Sequence, residues 1–540
     1  MRFDFFKKSR KTKVNWLTNQ FGDKVFMKTA AKLFFPAILE VIILSSVNYF
    51  DSLFIALFTP DNMGAAAKTA TVLATQLMFL PTIFFYAIVA AAGILAAQYY
   101  GKRDYLRFKE TINFMLLFGS IVVVIFVIIY MVVPLEMIQL YSGNTLDDSA
   151  SEEAKRIYDL TNHWAASYLR WQSLTLIPYM FTFSIATAYR QHNNAIMPLI
   201  SSSIAVLVNI ILDPVLIKYC ATRPFEAILF VAIATIIARC IDAGIMLVLT
   251  LFRKSYPYYF FNHLKLSKRV IKLIFIHGWQ VLVNEILFSV GTTIILMFYT
   301  RYSQDHRDAI STVTLIIQFT NLIWPGAAST VAVLVLANLG ANKHDLAKEN
   351  TRKLINWGIV VGVSIGIILL ILSTFVNQLL NPPLDYTEQG LKQAAHTATI
   401  AMYLEWIVIM VVLTQGPYSV IYFCIRGGGS RWLLTIDCLS TFIWLIIMGC
   451  VTHINVPENY SDRLHVVLLF FIMESQNISK LIMAIVIFKK TNWAQNLVDE
   501  EKEITSEIGN EKEEKPKKQL ESKIENKVIN TNSQGVMNEI

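Results

Sequence analysis

The stretch QYYGKRDYLRFKE at residues 98–110 returns as NLGANKHDLAKEN at residues 338–350. In both, an apolar run ends on a glycine, a basic turn follows, and an aspartate leads into a new run. Three further matches keep the same order. KLFFPAILE from Lys32 returns loosely as KLIFIHGWQ from Lys272, and Tyr168-Leu169-Arg170-Trp171 returns as Tyr403-Leu404-Glu405-Trp406. About twenty residues beyond each of the latter comes a basic turn, Tyr189-Arg190-Gln191 in one half and Ile425-Arg426-Gly427 in the other. All four matches lie roughly 235–240 residues apart, so the chain reads as an internal duplication.

What is duplicated follows from composition. The 540 residues are 55% hydrophobic and only 16% charged, with mean hydropathy +0.49. A soluble chain carries nearer 25% charge, so soluble, fibrous, disordered and disulfide-rich secreted classes are excluded. Runs of about twenty apolar residues, long enough to cross a bilayer, fall near 31–58, 70–97, 111–134, 161–189, 196–217 and 225–252. Six more fall near 273–299, 310–337, 354–380, 398–424, 432–455 and 463–488. They are too long and too little alternating for strands. The expectation is an all-α polytopic membrane protein with twelve transmembrane helices.

The domain plan is a segment at 1–30, a six-helix bundle at 31–252, a basic linker at 253–272, a second bundle at 273–488 and a charged tail at 489–540. The tail is rich in Lys, Glu, Asn and Ser and is expected to be disordered. Because six is even, both halves enter the membrane from one side. They are then parallel repeats related by an axis along the membrane normal, which places a cavity between them near the midplane. Loops on one side hold about 25 Lys and Arg against about nine on the other, which puts both termini in the cytoplasm of a multi-pass plasma-membrane protein. The net charge of +8 is then a topology signal and implies no nucleic-acid partner. The N-terminus lacks a signal-peptide pattern. The five cysteines form no CxxC pair and read as small packing residues.

Ionisable residues inside spans are costly and mark pathways or partners. Asp51, in VNYFDSLF, has no Lys or Arg within a helical turn and suits reversible protonation or cation capture, or else packing as a neutral acid. Glu40 lies about three turns away on nearly the same face. Asn209 and Asp213 are spaced i,i+4 on one face of the fifth span. They offer oxygen ligands for a hard cation, a proton relay, or a cap at a helix end that Pro214 can break. Glu285 is a second carboxylate for coupling or for a cationic substrate, with Asn284 facing elsewhere. Asp437 and Glu474 are further candidates, Glu405 is expected at the interface, and Arg239 with Asp242 is expected to form an i,i+3 ion pair. Pro36, Pro81, Pro178, Pro325 and Pro417 sit in or beside spans, where they can kink helices. No nucleotide-binding loop, catalytic constellation or metal-spaced His/Cys cluster is present in the sequence, so an enzyme is not expected.

These motifs resemble those of the multidrug and toxic compound extrusion (MATE) family of the MOP flippase superfamily. PAILE with VNYFDSLFI is similar to its first-span pattern, AAQYYGKRD and NLGAN to its repeated loop, NIILDPVLI to its fifth-span signature and RGGG at 426–429 to its RG turn. The resemblance covers about residues 30–490. It implies two six-helix bundles in a V, acting as a monomer on small, amphiphilic, often cationic organic substrates. Such compounds are exported from the cytoplasm or inner lipid leaflet in exchange for H⁺ or Na⁺, with no other cofactor. It assigns ion coupling to Asp51, Asn209, Asp213 and Thr235, with Na⁺ the one metal in prospect. Glu285 matches a glutamate of the NorM-like branch, whose tenth-span partner aspartate is replaced here by Gln415, a neutral amide that does not titrate. Gln415 and Asp437 would be polar residues of the cavity. A flippase for lipid-linked saccharides is the rival reading. It calls for a cavity rich in Arg and Lys, whereas the midspan charges read from the sequence are mainly acidic. A channel or a non-transporting scaffold is the other.

Overall fold

The computed structural model describes residues 16–59, 63–142, 152–252, 265–298, 309–310, 312–313, 316–317, 320–321, 323–380, 387–428, 432–453 and 462–499. The chain divides into a unit at Met1–Gln495 and another at Asn496–Ile540, and the architecture below is that of the first.

The described part of this unit is helical. In chain order its helices are α1 (Lys24–Phe58), α2 (Gly64–Lys102), α3 (Tyr105–Val132), α4 (Pro134–Ser142), α5 (Glu152–Gln172), α6 (Leu176–Gln191), α7 (Ile196–Cys220) and α8 (Pro224–Phe252). The second half supplies α9 (Lys268–Phe298), α10 (Ile323–Gly340), α11 (His344–Leu380), α12 (Glu388–Gly427), α13 (Ser440–His453) and α14 (Asp462–Lys490). Ten described helices are long and apolar enough to cross a membrane. The expected fourth span is α5 and α6 together, interrupted by a 3₁₀ turn at Ser173–Thr175. The eleventh is shorter and begins with a π-turn at Thr435–Leu439. Much of the eighth span's first part, and the linker at 253–264, lie outside the described residues.

Local chemistry sets the helix ends. Asp23 caps α1 by accepting from the Phe26 N–H at 2.8 Å, and Asp104 caps α3 by accepting from the Arg107 N–H at 3.2 Å. Arg103 ends α2 in the left-handed region at φ 63°, and Asn342 takes the same conformation after α10 at φ 58°. Helix α1 begins before the expected boundary at residue 31, and α9 begins inside the expected linker. Pro214 does not break α7, which continues to Cys220. Where no water competes for backbone groups, the helical path remains the best available one.

Packing repeats the sequence symmetry. Helix α1 packs on α10 and α2 packs on α9, two contacts that exchange if the halves are swapped. Helices α2 and α10 also meet, at the end where the duplicated loops lie. A Cβ on Gly101 would fall 1.7 Å from the Ala337 carbonyl oxygen, and one on Gly340 would fall 1.9 Å from that of Gln98. The two glycines thus let the two backbones touch reciprocally. The Gln98 side chain ties this junction to α12 by donating to the Gly427 carbonyl at 3.0 Å, and reaches the Gln495 carbonyl at 3.3 Å.

Candidate functional site

Three helices bring the first polar cluster together. Asp51 comes from α1, Asn209 and Asp213 from α7, and Thr235 from α8. All four are buried, with Asn209 and Asp213 at 0% exposure. The Thr235 hydroxyl is 3.4 Å from Asp51 Oδ2, and the Asn209 amide donates to Asp213 Oδ1 at 3.5 Å and to Thr235 Oγ1 at 3.4 Å. Burial in mid-helix excludes the reading of Asp213 as an interfacial cap.

The two carboxyl groups, from α1 and α7, lie within hydrogen-bonding reach of each other. Two carboxylates so placed need a proton or a metal cation between them. Asp51 Oδ1, Asp213 Oδ2 and Asn209 Oδ1 are buried and receive no N–H or O–H donor among the described residues. Three oxygen acceptors left open in one buried cluster are what a proton or a hard cation such as Na⁺ would satisfy. Tyr168, from the YLRW motif, is buried nearby and feels both aspartates.

Thr235 also lines a cavity of about 530 Å³. Its wall runs from α1, α2, α6 and α8 to α10 and the end of α12, with Phe79, Tyr86, Tyr179 and Phe183 giving it an aromatic side. Glu40 lies in this wall, but Arg190 holds both of its carboxylate oxygens, at 2.9 and 2.8 Å. Arg426, also in the wall, pairs with Glu285 at 3.6 Å. Arg190 and Arg426 stand at matching places in the repeat, so each half sets an arginine from its fourth helical span against a glutamate from its first.

Gln415 and Asp437 do not line the cavity. Gln415 donates to Asn477 at 3.4 Å, and no bond joins it to Glu285 among the described residues. Asp437 sits in a network of the second half. It accepts from Asn284 at 3.0 Å and from Tyr418 at 2.8 Å, with Lys480 at 3.5 Å. Asn284 therefore has a partner, on α12 and the π-turn before α13, that helix spacing alone did not show. Glu405 is buried within the second half, against α11. It is 1% exposed and accepts from Ser373 at 2.9 Å. Arg239 and Asp242 form no ion pair within 4 Å: Asp242 accepts from the Ser201 hydroxyl of α7, Arg239 lines the cavity, and the two interact only at longer range. Sequence reasoning missed Lys480, although a lone lysine inside the last apolar run was a visible signal.

A duplicated helical bundle with a buried, open polar cluster beside a cavity defines a multi-pass membrane transporter. The MatE family profile matches residues 36–215 and 280–429, and the chain belongs to the MATE family. Over 388 residues it is 24% identical to the probable multidrug resistance protein YoeA of Bacillus subtilis, covering 71% of this chain and 78% of that one. Its fold is similar to that of a variant of the Vibrio cholerae MATE transporter VcmN, with TM-score 0.70 and 15% identity over 88% of this chain and 98% of that one. It is also similar to a MOP superfamily transporter of Pyrococcus furiosus described by a binding pocket of reverse polarity, with TM-score 0.68 and 14% identity over 88% and 99%.

Proposed function

We propose that this transporter is a secondary antiporter that exports amphiphilic organic compounds in exchange for H⁺ or Na⁺. The observation that carries this reading is the cluster of three donorless buried oxygens on Asp51, Asp213 and Asn209, joined through Thr235 to the cavity wall. A cation entering the cluster would tie α1 to α7, while a cargo presses on the same α1 and α8 from the cavity. Coupling requires only that ion and cargo favour different arrangements of these helices. The excess of Lys and Arg on one set of loops supports placing both termini in the cytoplasm, and the proposed form is a monomer in the plasma membrane. The relatives' multidrug names support a broad organic cargo.

The resemblance implies a cationic cargo. In the cavity wall Arg190 is paired with Glu40 and Arg426 with Glu285, which leaves Arg239 as the cavity arginine with no carboxylate within 4 Å among the described residues. The test is dye movement in proteoliposomes of the purified protein under an imposed pH or Na⁺ gradient. Antiport predicts that collapsing one of the two gradients stops accumulation. Accumulation indifferent to both would overturn it.

A further inference from the structure

The three cavity arginines are not equivalent. Arg190 is neutralised by Glu40 and Arg426 by Glu285. Arg239 has no carboxylate within 4 Å among the described residues. Its sequence neighbour Asp242 is 2% exposed and accepts from Ser201, and both Asp242 and Asp51 act on Arg239 only from beyond ion-pair distance. The Arg239 guanidinium lies 5.2 Å from the centroid of the Tyr179 ring, which supports it from one side. Tyr179 is in turn stacked on Phe183 at 5.7 Å. Arg239 is spaced i,i+4 from Thr235, and both line the cavity.

A half-buried guanidinium beside an aromatic wall makes a binding site for a particular chemistry. Arginine presents planar paired donors that match a carboxylate, sulfonate or phosphate. A cargo that displaces solvent from this wall must either complement the Arg239 charge or leave it desolvated and alone, which is costly. A cationic cargo would add a like charge there, and the charge of Glu40 is already balanced by Arg190.

We infer that the cavity binds amphiphiles carrying an oxyanion, with the anionic group on Arg239 and the apolar or aromatic body against Tyr179 and Phe183. The inference rests on the reading of this cavity as the cargo site. A free organic anion and an anionic lipid headgroup present the same chemistry, and the experiment separates them.

Equilibrium binding to the purified full-length protein in an uncharged detergent, with no ion gradient, provides the test. Two xanthene dyes with the same ring body serve as probes, the anion carboxyfluorescein and the cation rhodamine 123, with phosphatidylglycerol as competitor. The anion is expected to bind more tightly than the cation. Arg239→Gln should weaken the anion by roughly ten- to a hundredfold, as loss of one charge-assisted contact does, without weakening the cation. Arg239→Lys should recover part of the loss, since it keeps the charge but not the fork. Phosphatidylglycerol that displaces the anion from wild-type protein identifies the lipid headgroup as the source, and failure to displace it identifies a free anion. Tighter binding of the cation, or anion binding within about twofold of wild type in Arg239→Gln, overturns the inference. If Arg239→Gln does not fold, the dye ranking and Arg239→Lys still decide. Failure of the antiport reading would show separately, as gradient-independent transport with this binding pattern intact.

Discussion

Replacing Gly101 with alanine should loosen the junction at which α2 and α10 meet. The added Cβ would lie 1.7 Å from the Ala337 carbonyl oxygen and 2.4 Å from its carbon. A comfortable carbon–oxygen approach is about 3.3 Å, so the helix ends must separate by something over 1.5 Å, since backbone cannot rotate away as a side chain can. Overpacking of this kind costs roughly 1–3 kcal/mol, which lowers the ratio of closed to open junction by about 5- to 150-fold. Gly340→Ala should act alike, because its Cβ would meet Gln98 at 1.9 Å. The two changes should be less than additive, since they strain one contact. Cys424 reports the change. It is fully buried near the end of α12, with its Sγ 3.5 Å from Thr351 Oγ1. In protein whose other four cysteines are serine, alkylation of Cys424 by a water-soluble maleimide should accelerate within that range. Gly244→Ala is the control, because a Cβ there meets nothing within 4 Å. Equal alkylation rates in Gly101→Ala and Gly244→Ala would refute the argument.

Two other outcomes test the buried charges. Arg190→Met should destabilise the protein by about 3–5 kcal/mol by leaving Glu40 buried and unpaired, read as a lower melting temperature. The double variant with Glu40→Gln should recover most of that loss. Ser201→Ala removes the hydroxyl that donates to Asp242, and should cost about 1–3 kcal/mol by the same measurement, without altering which ion drives transport.

The architecture was legible because duplication writes itself into sequence twice. The loops at 98–110 and 338–350 fall where two helix ends touch, with Gly101 and Gly340 in reciprocal contact. The i,i+4 spacing of Asn209 and Asp213 likewise survives as a side-chain contact of 3.5 Å. What spacing could not supply is the choice among partners from different helices. Arg239 and Asp242 are near neighbours on α8, yet Ser201 of α7 claims the aspartate and leaves the arginine to the cavity. Glu40 looked available until Arg190, 150 residues later, closed on both of its oxygens. Asn284 found Asp437 across a similar distance in sequence. In each case tertiary packing decided between groups that local periodicity left equivalent.

The cluster on α1, α7 and α8 is the centre of the account, and Asp51 is its one group from α1. The direct measurement is gradient-driven dye accumulation in proteoliposomes, comparing wild type with Asp51→Asn at matched protein content and melting temperature. The substitution keeps the size of the side chain but cannot release or accept the coupling proton, and it removes a negative charge from any Na⁺ site. Asp51→Asn is expected still to bind dye, while its gradient-driven accumulation falls to the level of protein-free liposomes. Accumulation at the wild-type rate, with unchanged dependence on pH and Na⁺, would contradict it.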